Sequence, residues 1–518
     1  MELEKEKQII LDFLKLKKKS RLILDGLKRK STKGTKDLIP SNNILLKAYH
    51  ELLCSGRIKK SQEIEGILRV KEIRSLSGIV VVSVLTKPYP CPGKCIFCPT
   101  QKNVPKSYIK EEPAVSRAIS LNYHPYKQVQ SRIDVLEQNG HPTDKIELRI
   151  IGATWSYYPK NYQSWFIKQC FKAANDHGGR KSKVKTLERL QKENEKAKHR
   201  IIGIMIETRP DYIDSEEIKR LRNYGITMIE LGIQSIYNDV LSKNKRGHKV
   251  RDAIKATKLL KDAGFKICYQ MMPNLLGSSP KKDIEMFKEI FSNADFQPDY
   301  LKIYPCALLK EAYLFRYYQR KEYEPYTLKQ LLNVLKEIKK NIPYYCRIQR
   351  IIRDIPSSYI LKGGAKISSI RQNLLKIQQQ EGWRCRCIRC REIRSQSIRE
   401  KPRLFKETYP ASDGKEIFLS FENKDRTKLF SLLRLRISSN NKAIIREVHT
   451  YGQLTAIGDK GISAQHKGLG KKLISLAEEI VKKDFNLKNV SVISGVGVRD
   501  YYRKQGYSLK NTYMVKRL

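Results

Sequence analysis

Short apolar runs recur through the middle of the chain, each pair separated by enough residues for a helix. They read "GIVVVSVLT" (78–86), "IELRIIGATW" (146–155), "IIGIMIET" (201–208), "MIELGIQS" (228–235), "KICYQMMP" (266–273) and "YLKIYP" (300–305). Runs of this length and β-branched content are strands, and strands alternating with helical stretches build β/α units around a parallel sheet. Ligands in such architectures bind beyond the carboxyl ends of the strands, so the residues that close each run are where chemistry is expected. Hydrophobic residues make up 40% of the 518, enough for a sizeable core. One inserted stretch, "GGRKSKVKTLERLQKENEKAKHR" (178–200), is highly charged and reads as an exposed helix. No internal repeat is present.

The first run leads into "YPCPGKCIFCPT" (89–100), which places Cys91, Cys95 and Cys98 between prolines that forbid a helix. The chain holds 11 cysteines. Cys54, Cys170, Cys268 and Cys346 are scattered and read as structural thiols of a reducing compartment. Cys385, Cys387 and Cys390 form a second cluster, and Cys306 stands apart. Clustered cysteines in an intracellular chain indicate metal rather than disulfides. Three thiolates on one loop hold a 4Fe–4S cluster and leave its fourth iron without a protein ligand. Structural zinc wants four closed ligands; a zinc knuckle or a redox thiol set is the plainer alternative.

Formal net charge is +50, from 103 Lys and Arg against 53 Asp and Glu. An excess of this size costs self-repulsion unless a polyanion takes it up, and it marks nucleic-acid binders. The basic residues also cluster: "KLKKKSRLILDGLKRKSTKGTKD" interleaves Lys and Arg with Leu and Ile. No stretch approaches the roughly 18 uncharged apolar residues of a membrane span, and the charged N-terminus lacks a signal-peptide core. A cytoplasmic protein is expected, with no membrane partner.

These patterns divide the chain into a basic helical region expected to bind nucleic acid (1–75), the β/α array (76–360), a linker with the second cysteine cluster (361–400) and an antiparallel α/β domain (401–518). In the last, "AQHKGLGKKLISLAEEI" sets Gln465, His466, Lys467, Gly468, Leu469 and Gly470 before an amphipathic helix. Glycines at a helix N-terminus let phosphates approach the backbone N–H groups; the plainer reading is an ordinary turn.

The Cys91-x3-Cys95-x2-Cys98 spacing behind a first strand resembles that of radical S-adenosylmethionine enzymes, and the region after Lys401 resembles the GNAT acetyltransferase fold. The implied class is α/β: a partial TIM-like (β/α) barrel followed by a GNAT domain. Taken with "ETRPDY", "IQSIYNDVL…RGH", "MMPN", "RDIP", "REVHTYG" and "SGVGVRDYYRKQGY", the chain resembles the Elongator catalytic-subunit family in its stand-alone prokaryotic form, from about residue 75 to the end. That resemblance implies modification of the wobble uridine (position 34) of tRNA to 5-carboxymethyluridine. A 5′-deoxyadenosyl radical made from S-adenosylmethionine would take hydrogen from the acetyl methyl of acetyl-CoA. It implies Glu207, Arg209 and Gln234 beside the S-adenosylmethionine, Lys302 in the active site, and Tyr501 and Tyr502 near the thioester. It implies zinc at Cys385, Cys387 and Cys390, to which it links Cys306. The tRNA partner would present its anticodon loop. A homodimer is compatible with the sequence, which leaves accessory subunits open. The family usually has histidine where Gln270 stands, and glutamine does not titrate. Two other readings are a protein lysine acetyltransferase using Glu447 or His449 as general base, and a non-catalytic tRNA-binding protein.

Overall fold

The computed structural model describes residues 3–33, 38–69, 77–179, 181–367, 369–394, 400–452 and 468–518. Its centre is an all-parallel sheet of seven strands in sequential order: β1 (Val80–Leu85), β2 (Lys145–Ile151), β3 (Arg200–Thr208), β4 (Met228–Gln234), β5 (Lys266–Met271), β6 (Tyr300–Ile303) and β7 (Arg347–Ile351). Sequential order with helical crossovers curls the sheet into an open barrel. Its helix-facing side is apolar, with Val80, Val82, Ile146, Leu148, Ile204, Ile206, Ile229 and Leu231 packed in the largest core. The alternate residues line the barrel interior, because side chains switch face at every position of a strand. All seven residues of β4 are buried, so its Glu230 is an interior acid rather than a surface one. β7, "RIQRI", is a strand the apolar pattern did not disclose.

The second sheet runs β13–β14–β12–β11–β10–β9–β8, from β8 (Arg403–Ala411), β9 (Gly414–Glu422), β10 (Leu429–Ile437), β11 (Ala443–Thr450), β12 (Asn489–Val492), β13 (Ser508–Lys510) and β14 (Tyr513–Arg517). β11 and β12 pair in parallel only from Ala443 to Ile445 and then part. Helix Leu469–Lys483 covers this sheet with Leu473, Ile474, Ala477 and Val481. The α/β class and the barrel agree with expectation; the second sheet, expected to be antiparallel, is mixed because β11 and β12 run parallel.

The two sheets meet over a polar seam. Arg434, Arg436 and Arg446 are almost fully buried. Arg446 binds Asp299, Glu416 (2.8 Å) and the Phe265 carbonyl (2.6 Å). Arg434 binds Glu447 at 2.8 Å and Arg436 binds Asp262 at 2.7 Å. At Gly495 the contact has no slack: a Cβ there would lie 1.9 Å from the Ile202 carbonyl oxygen of β3. The charged insertion also differs from expectation. Its helix Leu187–Asn194 buries Leu190, Gln191 and Asn194, and Glu195 binds Arg499 and Arg503 of the second unit at 3.0 and 2.7 Å. The stretch "LKGGAKISSIRQN", which reads as a loop, begins helix Ile370–Gln380 at its end.

At the N-terminus, helices Glu4–Lys15, Arg21–Thr32, Asn42–Cys54 and Gln62–Leu68 enclose their own core around Ile10, Phe13, Leu45 and Tyr49. Lys17, Lys18, Arg21, Arg29 and Lys30 stay exposed. Among the described residues no helix is long and apolar enough to cross a membrane.

Candidate active site

The cysteine loop lies at the carboxyl end of β1, pinned on several sides. The Ile96 N–H donates to the Asn244 carbonyl (3.2 Å), the Ile96 carbonyl accepts from Leu314 N–H (2.8 Å), and Tyr89 stacks on Tyr158 with centroids 4.9 Å apart. The neighbouring strand end makes room by a glycine: Gly152 has φ of +130°, and a Cβ on it would meet the Thr86 hydroxyl at 2.0 Å. Thr154, in the same turn, sits 3.8 Å from the Cys91 sulfur. Gln234 ends β4 with φ of +72°, a conformation that costs a non-glycine residue energy and marks strand ends at binding sites.

Two buried guanidiniums back the loop. Arg246 donates to the Cys95 sulfur at 3.6 Å and to the Gly232 carbonyl at 2.6 Å. Arg209, after β3, is held by both oxygens of Asp211 (2.9 and 2.8 Å), and its Nη1 crosses the bare face of Gly93, where a Cβ would lie 2.5 Å away. The hydrogen bond between the two thiols, against burial and with help from Arg246 and Arg209, makes Cys95 the ionised member of the pair, and Cys98 keeps its proton. Burial and these guanidiniums hold His248 neutral. Arg209 Nη1, Arg246 Nε and Gln234 Oε1 are buried without partners. Three thiols, two cations and orphaned polar atoms around one loop fit an anionic iron–sulfur cluster with a small polar chelator at its open corner.

Below the loop, β3 to β6 place a charged cluster inside the barrel. Lys302 Nζ donates to Glu230 and lies 3.9 Å from Glu207. Burial alone would strip its proton, but the two carboxylates outweigh that and raise its pKa above the usual lysine value. Burial raises the pKa of Glu207, with Lys302 opposing. Gln270 donates to Glu207 at 3.3 Å and to Glu230 at 3.1 Å, and Tyr108 donates to Glu207 at 2.7 Å. An amide donor between two carboxylates needs no titration, which accounts for glutamine in this position. The next layer down is Met205, Met228, Cys268 and Tyr300. Beneath it the interior is closed by β11: Tyr300 donates to Glu447, Lys266 lies 3.9 Å from Glu447, and Arg347 donates to the Tyr451 hydroxyl at 3.4 Å.

The other face of β11 turns to the glycine turn. A Cβ on Gly470 would lie 3.4 Å from both the Thr450 and Tyr501 hydroxyls and 3.8 Å from Val448. Gly468 caps helix Leu469–Lys483 in the left-handed conformation, φ of +70°. Tyr501 is partly exposed beside this turn. Tyr502 is buried in the apolar core with Leu473 and Tyr507, so it packs rather than faces a ligand. Gln465, His466 and Lys467 lie outside the described residues. Glu447 and His449 face the barrel interior, away from the glycine turn, and Glu447 is held ionised against burial by Lys266 and Arg434; neither is a free base at that turn.

The second cysteine cluster is real in space: the sulfurs of Cys385, Cys387 and Cys390 lie within 4.8 Å of one another, with Lys339 Nζ 3.7 Å from Cys390. Cys306 is not with them. The chain turns at Pro305, the Cys306 N–H bonds the Pro273 carbonyl at 2.8 Å, and its buried thiol packs in the cluster containing Cys95 and engages Tyr323. Arg246, Glu230 and Tyr108 are site residues the sequence did not single out; the signal for Glu230 was an acid inside an otherwise apolar strand.

Comparison with known proteins supplies the remaining information. The model of the Radical SAM superfamily matches residues 89–290, and that of the Radical_SAM C-terminal domain matches residues 298–379. A tRNA uridine(34) acetyltransferase of Methanocaldococcus infernus is 44% identical over 502 residues, 92% of each chain. Elongator complex protein 3 of Homo sapiens is 35% identical over 477 residues, 87% of this chain and 86% of its own. The solved structure of the archaeal Methanocaldococcus infernus Elp3 with an N-terminal deletion superposes with a TM-score of 0.75 at 41% identity, covering 86% of this chain and all of that one.

Proposed function

The chain belongs to the family that holds the tRNA uridine(34) acetyltransferases and Elongator complex protein 3, with a Radical SAM domain at its centre, and from this premise we propose that it carboxymethylates uridine 34 of tRNA. Acetyl-CoA is the carbon source: one methyl C–H bond and the C5–H bond of uracil break, the methyl carbon joins C5, and water hydrolyses the thioester to free CoA. The two electrons lost would be taken up by S-adenosylmethionine, which leaves as methionine and 5′-deoxyadenosine, the C5 hydrogen leaving as a proton. The observation that carries the reading is the position of β11, whose one face closes the barrel interior below Lys302 while the other faces Gly470 and Tyr501. A thioester at the glycine turn and a cluster at the cysteine loop are then served by one strand.

Cys91, Cys95 and Cys98 would hold a 4Fe–4S cluster, which with S-adenosylmethionine supplies one-electron cleavage of an unactivated carbon–hydrogen bond. Arg209 and Arg246 neutralise the anionic loop and fix its position. The Lys302 ammonium, kept protonated by Glu230 and Glu207, is a preset positive charge for an acyl or uracil oxygen, so no reorganisation is needed as charge develops there. Gln270 holds the two carboxylates in register with it. Gly468, Leu469 and Gly470 offer backbone N–H groups to the CoA pyrophosphate, and Tyr501 flanks the thioester. The exposed lysines and arginines of the N-terminal helices take tRNA phosphates. A zinc ion on Cys385, Cys387 and Cys390 would tie the linker to β7.

The test is anaerobic reconstitution with iron and sulfide, then addition of S-adenosylmethionine, reductant, acetyl-CoA and tRNA, with mass spectrometry of the nucleosides. 5-Carboxymethyluridine should appear, and Cys95→Ala should abolish it while tRNA binding persists. If tRNA fails to stimulate CoA release and no modified nucleoside forms with the cluster loaded, the assignment is wrong.

A further inference from the structure

Far from the cysteine loop, near the amino ends of the strands, Glu137, His177 and His199 converge, with ligand atoms all within 4.8 Å of one another. Glu137 is on helix Pro125–Gln138, His177 ends helix Lys160–Asp176, and His199 immediately precedes β3. The hydrogen bonds around them decide which ring nitrogens carry protons. Gln130 donates its Nε2 to the Ala173 carbonyl at 2.7 Å, which orients its Oε1 toward His177 Nδ1 at 3.2 Å. An oxygen there accepts only, so His177 Nδ1 must be the donor. His199 Nδ1 faces the Thr143 carbonyl at 3.1 Å and must likewise donate.

In neutral rings both Nε2 atoms then carry lone pairs, and both point at a carboxylate. His177 Nε2 is 3.2 Å from Glu137 Oε2 and 3.6 Å from Asp134; His199 Nε2 is 3.8 Å from Glu137 Oε1. His199 is fully buried and its Nε2 has no hydrogen-bond partner. Lone pairs facing lone pairs repel unless a cation stands between them. Two imidazoliums would serve only if each donated to an acceptor, and the buried His199 Nε2, 3.8 Å from Glu137, makes no hydrogen bond. A metal ion would serve both nitrogens and the carboxylate at once. Imidazoles whose Nδ1–H is donated to an oxygen acceptor, leaving Nε2 free, have the outer-shell arrangement of metal-ligating histidines. The Thr143 hydroxyl donates to Glu137 at 2.9 Å and Lys198 Nζ approaches it at 3.5 Å, which orient the carboxylate. Asp134 and Glu137 are partly exposed, giving an entry path.

We propose that His177, His199 and Glu137, with Asp134 at the rim, bind one divalent transition-metal ion, zinc being the species their borderline nitrogen and oxygen donors suit. The two histidines bracket the charged excursion between them, so the ion would cinch that excursion at its base. Glu195, near the far end of the excursion, holds Arg499 and Arg503. The site therefore braces the arm that grips the second unit, separately from any cysteine site.

Full-length protein carrying Cys385→Ser, Cys387→Ser and Cys390→Ser, with its cysteine loop loaded with iron and sulfide, is titrated with Zn2+ alone, dialysed, and assayed for zinc per chain. One equivalent should remain, and it should be lost in Glu137→Gln or His199→Ala. Gln130→Ala, which removes only the support of His177, should weaken binding about 10–100-fold. Because a histidine variant can fail by misfolding, crystals of the unsubstituted chain soaked in Zn2+ give a second readout. Anomalous scattering at the zinc edge should show a peak about 2.0–2.1 Å from both Nε2 atoms. Unchanged stoichiometry in Glu137→Gln, or no peak at saturating zinc, would overturn the proposal.

Discussion

At the scale of single residues, Lys302 is held by charge rather than by packing. Its removal leaves Glu207 and Glu230 facing each other in a dry interior. Breaking a buried pair costs about 3–5 kcal/mol, and Lys302→Met should lose that much stability at pH 7 by chemical denaturation. The loss should shrink as the solution is acidified, because Glu207, whose pKa burial already raises, then takes up the proton that replaces the missing ammonium. The variant should also bind tRNA normally while failing to form modified nucleoside. His449 titrates in the opposite sense for stability. Burial, with Arg347 and Lys266 adding to it against Glu447, lowers its folded pKa to about 4 from 6.5. Below pH 6.5 the unfolded chain binds a proton that the folded chain refuses, so the contribution of this group is complete above pH 6.5 and is lost as pH falls toward 4. Urea midpoints measured across that window should drop with acidification, and His449→Asn should flatten the slope there.

At the scale of elements, the strands that the apolar runs disclosed are those whose helix-facing residues are Val, Ile and Leu. β7 escaped because three of its five residues are Arg or Gln, which stay only partly covered while Ile348 alone is fully buried. The cysteine loop was legible because three thiols in one short loop announce themselves without any structure. Glu230 and Arg246 were not, since their roles depend on strand register and on a loop that folds back over β4. Cys306 was assigned to the wrong cluster on resemblance alone, although it follows β6 and so stands at the carboxyl end of the barrel, the same end as the cysteine loop after β1. His177 and His199 share a site only once helix and strand bring the ends of the excursion together. The segment holding Gly495 makes a sharper test of element packing. With its Cβ position filled by backbone of β3, Gly495→Ala should overpack the seam and lower stability by about 1–3 kcal/mol, read as a fall in the thermal midpoint, although its φ of −69° is open to any residue.

At the scale of the whole molecule, the arginine seam makes the barrel and the second sheet one cooperative body. Asp299 accepts from Arg446 and from the Ile267 N–H at 2.9 Å, so Asp299→Ala leaves the buried Arg446 guanidinium with Glu416 alone, a carboxylate it shares with Arg436, and strands the Ile267 N–H. It should cost about 3–5 kcal/mol and split a single unfolding transition into two in calorimetry. The N-terminal helices answer to a different physics. Their exposed Lys17, Lys18, Arg29 and Lys30 should set the salt dependence of tRNA binding, and replacing each should lower the slope of log K against log salt by about 0.7–0.9 where it meets a phosphate. β11 belongs to neither unit alone, since its alternate side chains serve two compartments. A partition of that kind cannot be tuned for one tenant without disturbing the other. Chimeras that graft a relative's C-terminal half onto this barrel should therefore work only when the strand travels together with the barrel residues that touch it.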